Sequence, residues 1–274
     1  RARGDLAYSR SNEPGAKIMQ KMRLNKFISH NTGYSRREAD ELIKQGKVSI
    51  NGRVVSDFIE VSGEEKIRIG SRLIKPKTEF TMIVYNKPKG ELVTKKDDRG
   101  RRTIYDSLPE GFSRFVSVGR LDFASEGLLL LTDAPAIATA LMNSDIEREY
   151  YLKVKGEVKE DVVTAIREGF FAADASKGAH AKSKIKSMEF KPFLGYRIMP
   201  SSGGYTKIKA IINEGQNREL RRFFGYFDLD VVELKRTAFG RMTLGTLKPG
   251  KWRYFDQSEY EDLRDFLKEN KIRY

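Results

Sequence analysis

Apolar residues near the start of the chain repeat at the spacing of an α-helix. Those between Leu24 and Ile28 share one face of a short helix that is predicted to end at Asn31. Ser35 begins a second helix through a Ser-x-x-Glu capping box, and Gly46 supplies a left-handed stop after it. The first part of the folded chain is therefore predicted to be two consecutive helices.

A tight hairpin and a series of strands are predicted after the second helix. The apolar runs 48–50 and 54–55 flank Asn51-Gly52, a dipeptide that tolerates positive φ at both central positions of a turn. The Lys-Pro-Lys sequence at 75–77 indicates a linker. The predicted strands beyond it are 81–85, 127–131, 150–154, 185–190, 205–212 and 231–234, and the predicted helices are 161–167, 217–224 and 258–269, the last with a Ser258/Glu261 capping box.

This order of elements indicates an α+β fold, because strands separated irregularly by single helices are not typical of a doubly wound parallel sheet. We expect a small helix-helix-hairpin domain at 23–75. A mixed, mainly antiparallel β-sheet domain with flanking helices is expected at 78–274. Residues 1–22 are expected to be a leader outside both domains, with Met22 as a candidate for the natural start.

The charge of the chain favours a polyanionic partner. Lysine and arginine number 52 against 38 acidic residues, for a net charge of +14, and 39% of the 274 residues are hydrophobic. Residues 1–77 hold 17 basic and 9 acidic residues, so the excess is concentrated near the start. A membrane surface also attracts positive charge, but the strongest apolar run, 128–131, is far too short to span a bilayer. Nucleic acid is therefore the expected partner, and no membrane contact is expected.

Composition also narrows the possible chemistry. There is no cysteine and histidine occurs only as His30 and His180, which excludes zinc ligation, thiolate catalysis and disulfides and leaves no metal site to expect. The absence of cysteine suits a reducing compartment, so we expect a cytoplasmic protein. No phosphate-binding glycine loop and no dinucleotide fingerprint is present, so no cofactor is expected.

Basic residues cluster on or beside the predicted helices and hairpin. Taken alone they fit a solvated helix face as well as a phosphate-binding surface. The stretches 23–28, 34–39 and 46–52 resemble the alpha-L type RNA-binding domain, first seen in a ribosomal protein of the S-four group. The resemblance implies RNA contacts for Arg23, Lys26, Arg36, Arg37, Lys44 and Lys47, with Arg53 close by.

A polar segment that ends in Asp122 stands just before a run of four leucines. An aspartate in that position is ordinarily a turn or cap residue. However, 118–122 and 126–132 closely resemble the signature of ribosomal pseudouridine synthases of the RsuA/RluB type. Three further stretches agree with this family in the expected order, at 85–90, 147–150 and 214–222. The resemblance implies that the chain isomerises a uridine of ribosomal RNA to pseudouridine without a cofactor.

The resemblance also implies a role for individual side chains. Asp122 is the nucleophile, Arg221 is the cation that keeps it charged and oriented, and Tyr150 stacks on the target base and is a candidate to take its proton. Without the resemblance, Arg221 would be read as a solvent-facing helix residue and Tyr150 as a structural one. Because a paired uridine must leave its stack, Arg120 is the candidate to fill the vacated space. RNA-binding roles are expected for Arg120, Lys87, Lys89 and Arg218.

The chain departs from the family at two places. Ser125 stands where threonine is usual, a mild change because the hydroxyl is kept. Residues 216–219 read Gln-Asn-Arg-Glu instead of Arg-Asn-Arg-Gln, which puts the carboxylate of Glu219 beside the expected site.

Alternatives to this function are a non-catalytic RNA-binding or ribosome-assembly factor with the same fold, a small-subunit pseudouridine synthase, and an RNA methyltransferase with the same N-terminal domain. The last would need a methyl-donor site that the sequence does not show. The stretch 248–263 favours large-subunit RNA as the substrate. We expect a monomer, because RNA can dock on a single copy.

Overall fold

The computed structural model describes residues 22–57, 59–62, 65–75 and 79–272. The chain divides into two compact units, Arg1–Pro76 and Lys77–Tyr274. The predicted leader lies outside the described residues except for Met22, and so does the predicted linker except for Lys75.

Within its described residues, the N-terminal unit contains two helices and six short strands. Two strands pair with each other, and the other four form an antiparallel sheet in the order β3-β2-β5-β6. The elements are β1 (Met22–Arg23), α1 (Leu24–Asn31), α2 (Arg36–Lys44), β2 (Val48–Ile50), β3 (Arg53–Val55), β4 (Glu60–Val61), β5 (Ile67–Ile69) and β6 (Arg72–Leu73).

Local sequence signals position these elements as predicted. The Ser35 side chain accepts a hydrogen bond from the backbone N–H of Glu38, whose carboxylate accepts one from the N–H of Ser35, so the capping box of α2 is confirmed. Asn51 and Gly52 have φ of 50° and 83° at the β2–β3 turn, as the predicted hairpin requires. Apolar residues from α1, α2, β2 and β5 form the core of this unit.

The larger unit is built on one main sheet and also contains a separate two-stranded sheet, formed by residues 170–172 and 188–190. The strands of the main sheet follow the order β13-β14-β10-β15-β9-β7-β17, with β16 paired to β15 and β8 to β9. The elements are β7 (Met82–Lys87), β8 (Val116–Ser117), β9 (Glu126–Thr132), α3 (Pro135–Met142), β10 (Arg148–Lys155), α4 (Glu160–Glu168), β11 (Phe170–Ala172), β12 (Met188–Phe190), β13 (Gly195–Ile198), β14 (Tyr205–Ile212), α5 (Glu219–Tyr226), β15 (Asp230–Phe239), β16 (Met242–Thr243), β17 (Trp252–Tyr254) and α6 (Gln257–Glu269).

The predicted mixed, mainly antiparallel sheet is confirmed. Neighbouring strands run antiparallel except β9 and β15, which are parallel. The four leucines of β9 do not alternate with polar residues because both faces of the strand are covered. Leu128 and Leu130 pack with residues of α3 and α6, whereas Leu129 and Leu131 pack against a second apolar cluster on the other face.

Several predicted boundaries are wrong for local reasons. The N-cap of α6 is Asp256, which forms a capping box with Glu259, and not Ser258 with Glu261. Helix α5 begins at Glu219 because Arg218 takes the left-handed conformation, with φ of 53°. The strand predicted at 185–190 begins only at Met188. Within the part of the chain that the structure describes, no helix has the length and apolar character needed to cross a membrane.

Candidate active site

The loop between β8 and β9, which carries Asp122, is held in place by hydrogen bonds from Lys87. The Lys87 ammonium group donates hydrogen bonds to the carbonyls of Pro88, Asp122 and Ser125 at 2.8–3.1 Å. Its side chain is fully buried, and burial lowers the pKa of Lys87 to about 8. Sequence reasoning gave Lys87 an RNA contact, whereas the structure surrounds its buried ammonium group with backbone carbonyls. Because three backbone carbonyls surround its amine, Lys87 positions the loop instead.

A glycine allows β9 to approach β15 directly after this loop. Gly127 has φ of 109°, and a Cβ atom there would overlap the carbonyl oxygen of Arg236 across the parallel pairing. Only glycine meets both conditions without strain. The close approach brings the Asp122 loop to the same end of the sheet as Arg236.

Two guanidinium groups lie beside the Asp122 carboxylate. Arg218 Nη1 is 2.8 Å from Asp122 Oδ2, and Arg221 Nε is 3.8 Å from the same oxygen. The Asp122 side chain keeps 34% of its surface exposed, whereas that of Arg221 keeps 9%. Sequence reasoning named Arg221 as the charge partner and gave Arg218 only an RNA contact. In the structure, Arg218 makes the shorter ion pair.

Arg221 is placed to hold the loop as well as to balance its charge. Its Nη2 donates to Ser125 Oγ at 3.1 Å, and its Nη1 donates to the carbonyl of Val231 at 2.7 Å. Its Nε, the atom that faces Asp122, has no hydrogen-bond partner among the described residues. Arg221 therefore lies behind the carboxylate, with one donor left over for it. The hydroxyl that Ser125 shares with the usual threonine accepts one of these bonds.

A cleft of about 340 Å³ opens in front of Asp122. Strand β10 contributes Tyr150 to its wall, and the neighbouring strand β15 contributes Arg236, the cross-strand partner of Tyr150. The polar residues that line this cleft include Arg120, Asp122, Arg148, Tyr150, Arg218, Glu219 and Arg236. The cleft is therefore lined by two acids, an aromatic hydroxyl and four arginines, and this excess of positive charge suits a polyanionic nucleotide.

Sequence reasoning missed two arginines in this wall. Arg148 is buried and donates to the carbonyls of Met142, Ser144 and Asn213. The alternation of β10 was the available signal for it, because Arg148 stands two residues before Tyr150 and must share its face. Arg236 is also buried and donates from Nε to the carbonyl of Leu128 at 2.7 Å, while its Nη2 has no hydrogen-bond partner in the described part of the chain.

Glu219 is a second carboxylate in the cleft. One of its oxygens accepts a hydrogen bond from the backbone N–H of Gln216 at 3.0 Å. Burial raises the pKa of Glu219, and the negative charge of Glu214 adds to that effect. The sequence had placed this carboxylate beside the expected site, and the structure places it in the wall of the cleft with Asp122.

The remaining predicted RNA-binding residues lie at exposed positions with one exception. Arg120 is exposed and lines the cleft, whereas Lys89 is exposed outside its lining. In the N-terminal unit Lys26 is half-buried, and the exposed residues are Arg23, Arg36, Arg37, Lys44 and Lys47. Among the residues that the structure describes, no cluster of histidines and carboxylates could hold a metal ion.

Models of two known families match successive parts of the sequence. Residues 81–226 match the RNA pseudouridylate synthase model, and residues 22–57 match the S4 domain model. The chain belongs to the RNA pseudouridylate synthase family. The segment that matches the synthase model contains Asp122, Tyr150 and Arg221. It also contains β9, which follows the Asp122 loop, and β10, which carries Tyr150.

Relatives extend the likeness over nearly the whole chain. An uncharacterized RNA pseudouridine synthase of Helicobacter pylori (strain ATCC 700392 / 26695) is 46% identical over 248 residues, which cover 90% of this chain and 95% of the relative. Ribosomal large subunit pseudouridine synthase B of Bacillus subtilis (strain 168) is 33% identical and covers 88% of this chain and 95% of the relative. A crystal structure of a pseudouridylate synthase is 28% identical with a TM-score of 0.58, covering 88% of this chain and 99% of its own.

Proposed function

We propose that this pseudouridine synthase acts on a uridine of large-subunit ribosomal RNA, with Asp122 as its nucleophile. The observation that carries the proposal is the Asp122 carboxylate, which faces two guanidinium groups at a cleft that also holds Tyr150. The large-subunit substrate is supported by the similar protein of Bacillus subtilis, which is named for that activity. The C-terminal stretch 248–263 of the sequence favours the same substrate.

The isomerisation breaks the bond from ribose to a uracil nitrogen and makes a bond from the same ribose carbon to a ring carbon. The new carbon–carbon bond replaces a proton on that ring carbon, and the freed nitrogen gains a proton, so no redox partner is needed. Asp122 attacks the target nucleotide, holds it covalently while the uracil turns, and leaves when the new bond forms. Tyr150 contacts the base and is proposed to take the proton from carbon.

The two arginines support this chemistry by keeping the Asp122 carboxylate reactive in a site that is only partly exposed to water. Loss of water favours the neutral form of a carboxyl group, and nearby positive charges oppose that change. Arg218 supplies the close charge, and Arg221 supplies charge and a fixed position through Ser125. Both are proposed to remain bound to Asp122 until it attacks.

The target uridine must reach the cleft from a folded RNA. Extruding a nucleotide costs a few kcal/mol, so a side chain that fills the vacated space would favour the extruded state. Arg120 is exposed, lies two residues before Asp122 and lines the cleft. We assign it this role, and we assign RNA docking to the exposed basic residues of the N-terminal unit.

The nucleophile assignment is tested with Asp122→Asn, which removes the charge and keeps the shape. We expect no pseudouridine in single-turnover assays and RNA binding within a few-fold of the wild type. Asp265→Asn, at an exposed position on α6, is the control and should react normally. Measurable turnover by Asp122→Asn would refute the assignment.

The substrate assignment is tested by mapping pseudouridines in the ribosomal RNA of cells that lack the protein. We expect one or more sites in large-subunit RNA to revert to uridine and to be restored by the wild type. Restoration should fail with Asp122→Asn. A site lost only from small-subunit RNA would overturn the large-subunit part of the proposal and leave the reaction intact.

A further inference from the structure

The connection between β11 and β12 carries an excess of positive charge, with four lysines against one acidic residue, Asp174. We name residues 173–187 the lysine loop, because 177–186 contains four lysines and no acidic residue. All four lysine side chains are exposed. Lys177 pairs with Asp228, whereas no ion pair is found for the other three within the described part of the chain, namely Lys182, Lys184 and Lys186.

A fully buried arginine holds this loop in place. Arg222 Nη1 donates to the carbonyl of Ala175 at 2.7 Å and to that of Ile185 at 3.1 Å, while Nη2 donates to Ser183 Oγ at 2.7 Å. Its remaining donors bind Asn217, just before α5. Arg222 therefore ties both ends of the loop to the helix that carries Arg221.

The loop backbone lies directly against α5. Gly178 has φ of 76°, and a Cβ atom there would overlap the carbonyl oxygen of Arg221. A Cβ atom at Gly225 would lie 2.9 Å from the backbone of Lys177. Arg218, the ion-pair partner of Asp122, donates from Nε to the carbonyl of Gly178 at 2.7 Å. One side chain thus links the loop to the cleft, so the two are adjacent.

Different residues of the lysine loop anchor it and carry its charge. Ser183 turns its hydroxyl inward to Arg222, and the lysines on either side of it and at 186 are exposed. A loop that only connects two strands needs neither a buried guanidinium nor three unpaired lysines. Burying the guanidinium costs desolvation, and like charges held close together repel. A buried guanidinium that holds a set of exposed lysines in place is expected where those lysines bind a negatively charged partner.

We propose that the lysine loop binds phosphate groups of the RNA strand next to the extruded uridine. This inference rests on the proposed function, which supplies the RNA at the cleft. Lysine is a compact charge on a flexible stem, suited to phosphates and not to reading bases. The loop therefore contributes affinity and register along the strand, and sequence specificity comes from elsewhere.

The test replaces Lys182, Lys184 and Lys186 together by glutamine. The matched control replaces three lysines that are also exposed, Lys155, Lys159 and Lys207, which lie at or near the end of β10 and β14 remote from Tyr150. Both variants lose three charges, so they separate local contacts from the general field. Binding of a uridine-rich single-stranded RNA is measured between about 50 and 200 mM salt.

We expect the loop variant to lower the slope of log affinity against log salt by about 2, at about 0.7 for each lost phosphate contact. The control should change the slope by less than about half of that. When the assay uses an RNA that the wild type converts to pseudouridine, the loop variant should have a higher KM and an unchanged kcat. Replacing the same three lysines by arginine should restore binding.

An unchanged salt slope in the loop variant, or an equal decrease of that slope in the control variant, would overturn the inference. The proposed function fails separately, if the wild type converts no uridine in ribosomal RNA. The binding comparison still decides the role of the loop in that case, because it does not depend on turnover.

Discussion

Two arginines three residues apart, Arg218 just before α5 and Arg221 within it, have different roles around Asp122. Arg218 makes the close ion pair from a left-handed backbone position, whereas Arg221 spends most of its donors on Val231 and the Asp122 loop. Arg218 therefore mainly supplies positive charge to Asp122, and Arg221 mainly holds the surrounding backbone in place. A substitution at each position should have a different effect.

Replacing Arg218 by glutamine should lower the single-turnover rate about ten- to a hundredfold, the usual value of a hydrogen bond to a charged group. The fold should survive, because this side chain is partly exposed. Arg221→Gln should lower both the rate and the melting temperature, since Arg221 holds backbone carbonyls from two segments. Equal melting temperatures for the two variants would contradict this division.

Glu219→Gln tests the second carboxylate of the cleft. Burial raises the pKa of Glu219, so folding favours its neutral form. Wild-type stability is then fully present below the unfolded pKa and falls as pH rises towards the folded one. Glutamine keeps the acceptor for Gln216 and does not titrate, so the variant should gain in melting temperature relative to the wild type as pH increases from about 4 to 7. Parallel melting curves would contradict the prediction.

At the scale of elements, β9 is the strand on which the site depends. It is buried on both faces, meets β7 on one edge and β15 on the other, and begins just after the Asp122 loop. Its parallel contact with β15 is short, from Glu126 to Gly127. A change at that junction should therefore disturb the fold and the cleft together.

Gly127→Ala should destabilise the protein by at least about 2 kcal/mol, because the positive φ and the overlap with Arg236 both oppose a side chain. Gly111→Ala is the control, since a Cβ atom there meets nothing within 4 Å and φ is not positive. Urea unfolding of both variants measures the difference. Stability equal to that of the control would show that β9 and β15 can separate at little cost.

Helix α1 carries a buried histidine that should make the N-terminal unit sensitive to acid. Burial, with help from the charges of Lys26 and Arg36, lowers the pKa of His30 to about 4, and no described residue forms a hydrogen bond with its Nε2. The unfolded state takes up a proton near pH 6.5, so stability present above that pH is lost as pH falls towards 4, by up to about 3 kcal/mol. His30→Leu should flatten this loss, as measured by hydrogen exchange of α1 amides.

At the scale of the whole molecule, basic surfaces occur in each of the two compact units. The N-terminal unit exposes Arg36 and Arg37 on the first turn of α2, and the larger unit exposes the lysine loop. A long folded RNA can bind to several such surfaces. Its affinity then depends on the sum of their phosphate contacts.

Replacing Arg36 and Arg37 together by alanine should weaken RNA binding and lower the salt slope by about 0.7 for each lost contact with a single strand. The rate at saturating RNA should stay unchanged, because Asp122 and the cleft lie in the other unit. Lys268 and Lys271, both exposed in the larger unit, are the matched control pair. An unchanged slope would remove Arg36 and Arg37 from the RNA interface.

Much of the fold followed from local signals in the sequence. The capping box at Ser35, the Asn51-Gly52 turn and the apolar runs of β7, β9, β10 and β14 each depend on neighbours within a few residues, so they were predicted at nearly their observed positions. Helix α3 was missed, because eight mostly apolar residues show no amphipathic period. The cap of α6 was displaced by two residues, because two overlapping capping patterns compete there.

The sequence by itself determined the fold class through short-range patterns, and its resemblance to a known family singled out the segment that contains Asp122. Only the tertiary structure decided that Lys87 is buried under the loop, that Arg218 lies closest to the carboxylate and that Arg236 shares the wall with Tyr150. These facts depend on which strands become neighbours and how closely they approach. Burial and charge pairing are properties of that packing, and no single segment of the chain contains them.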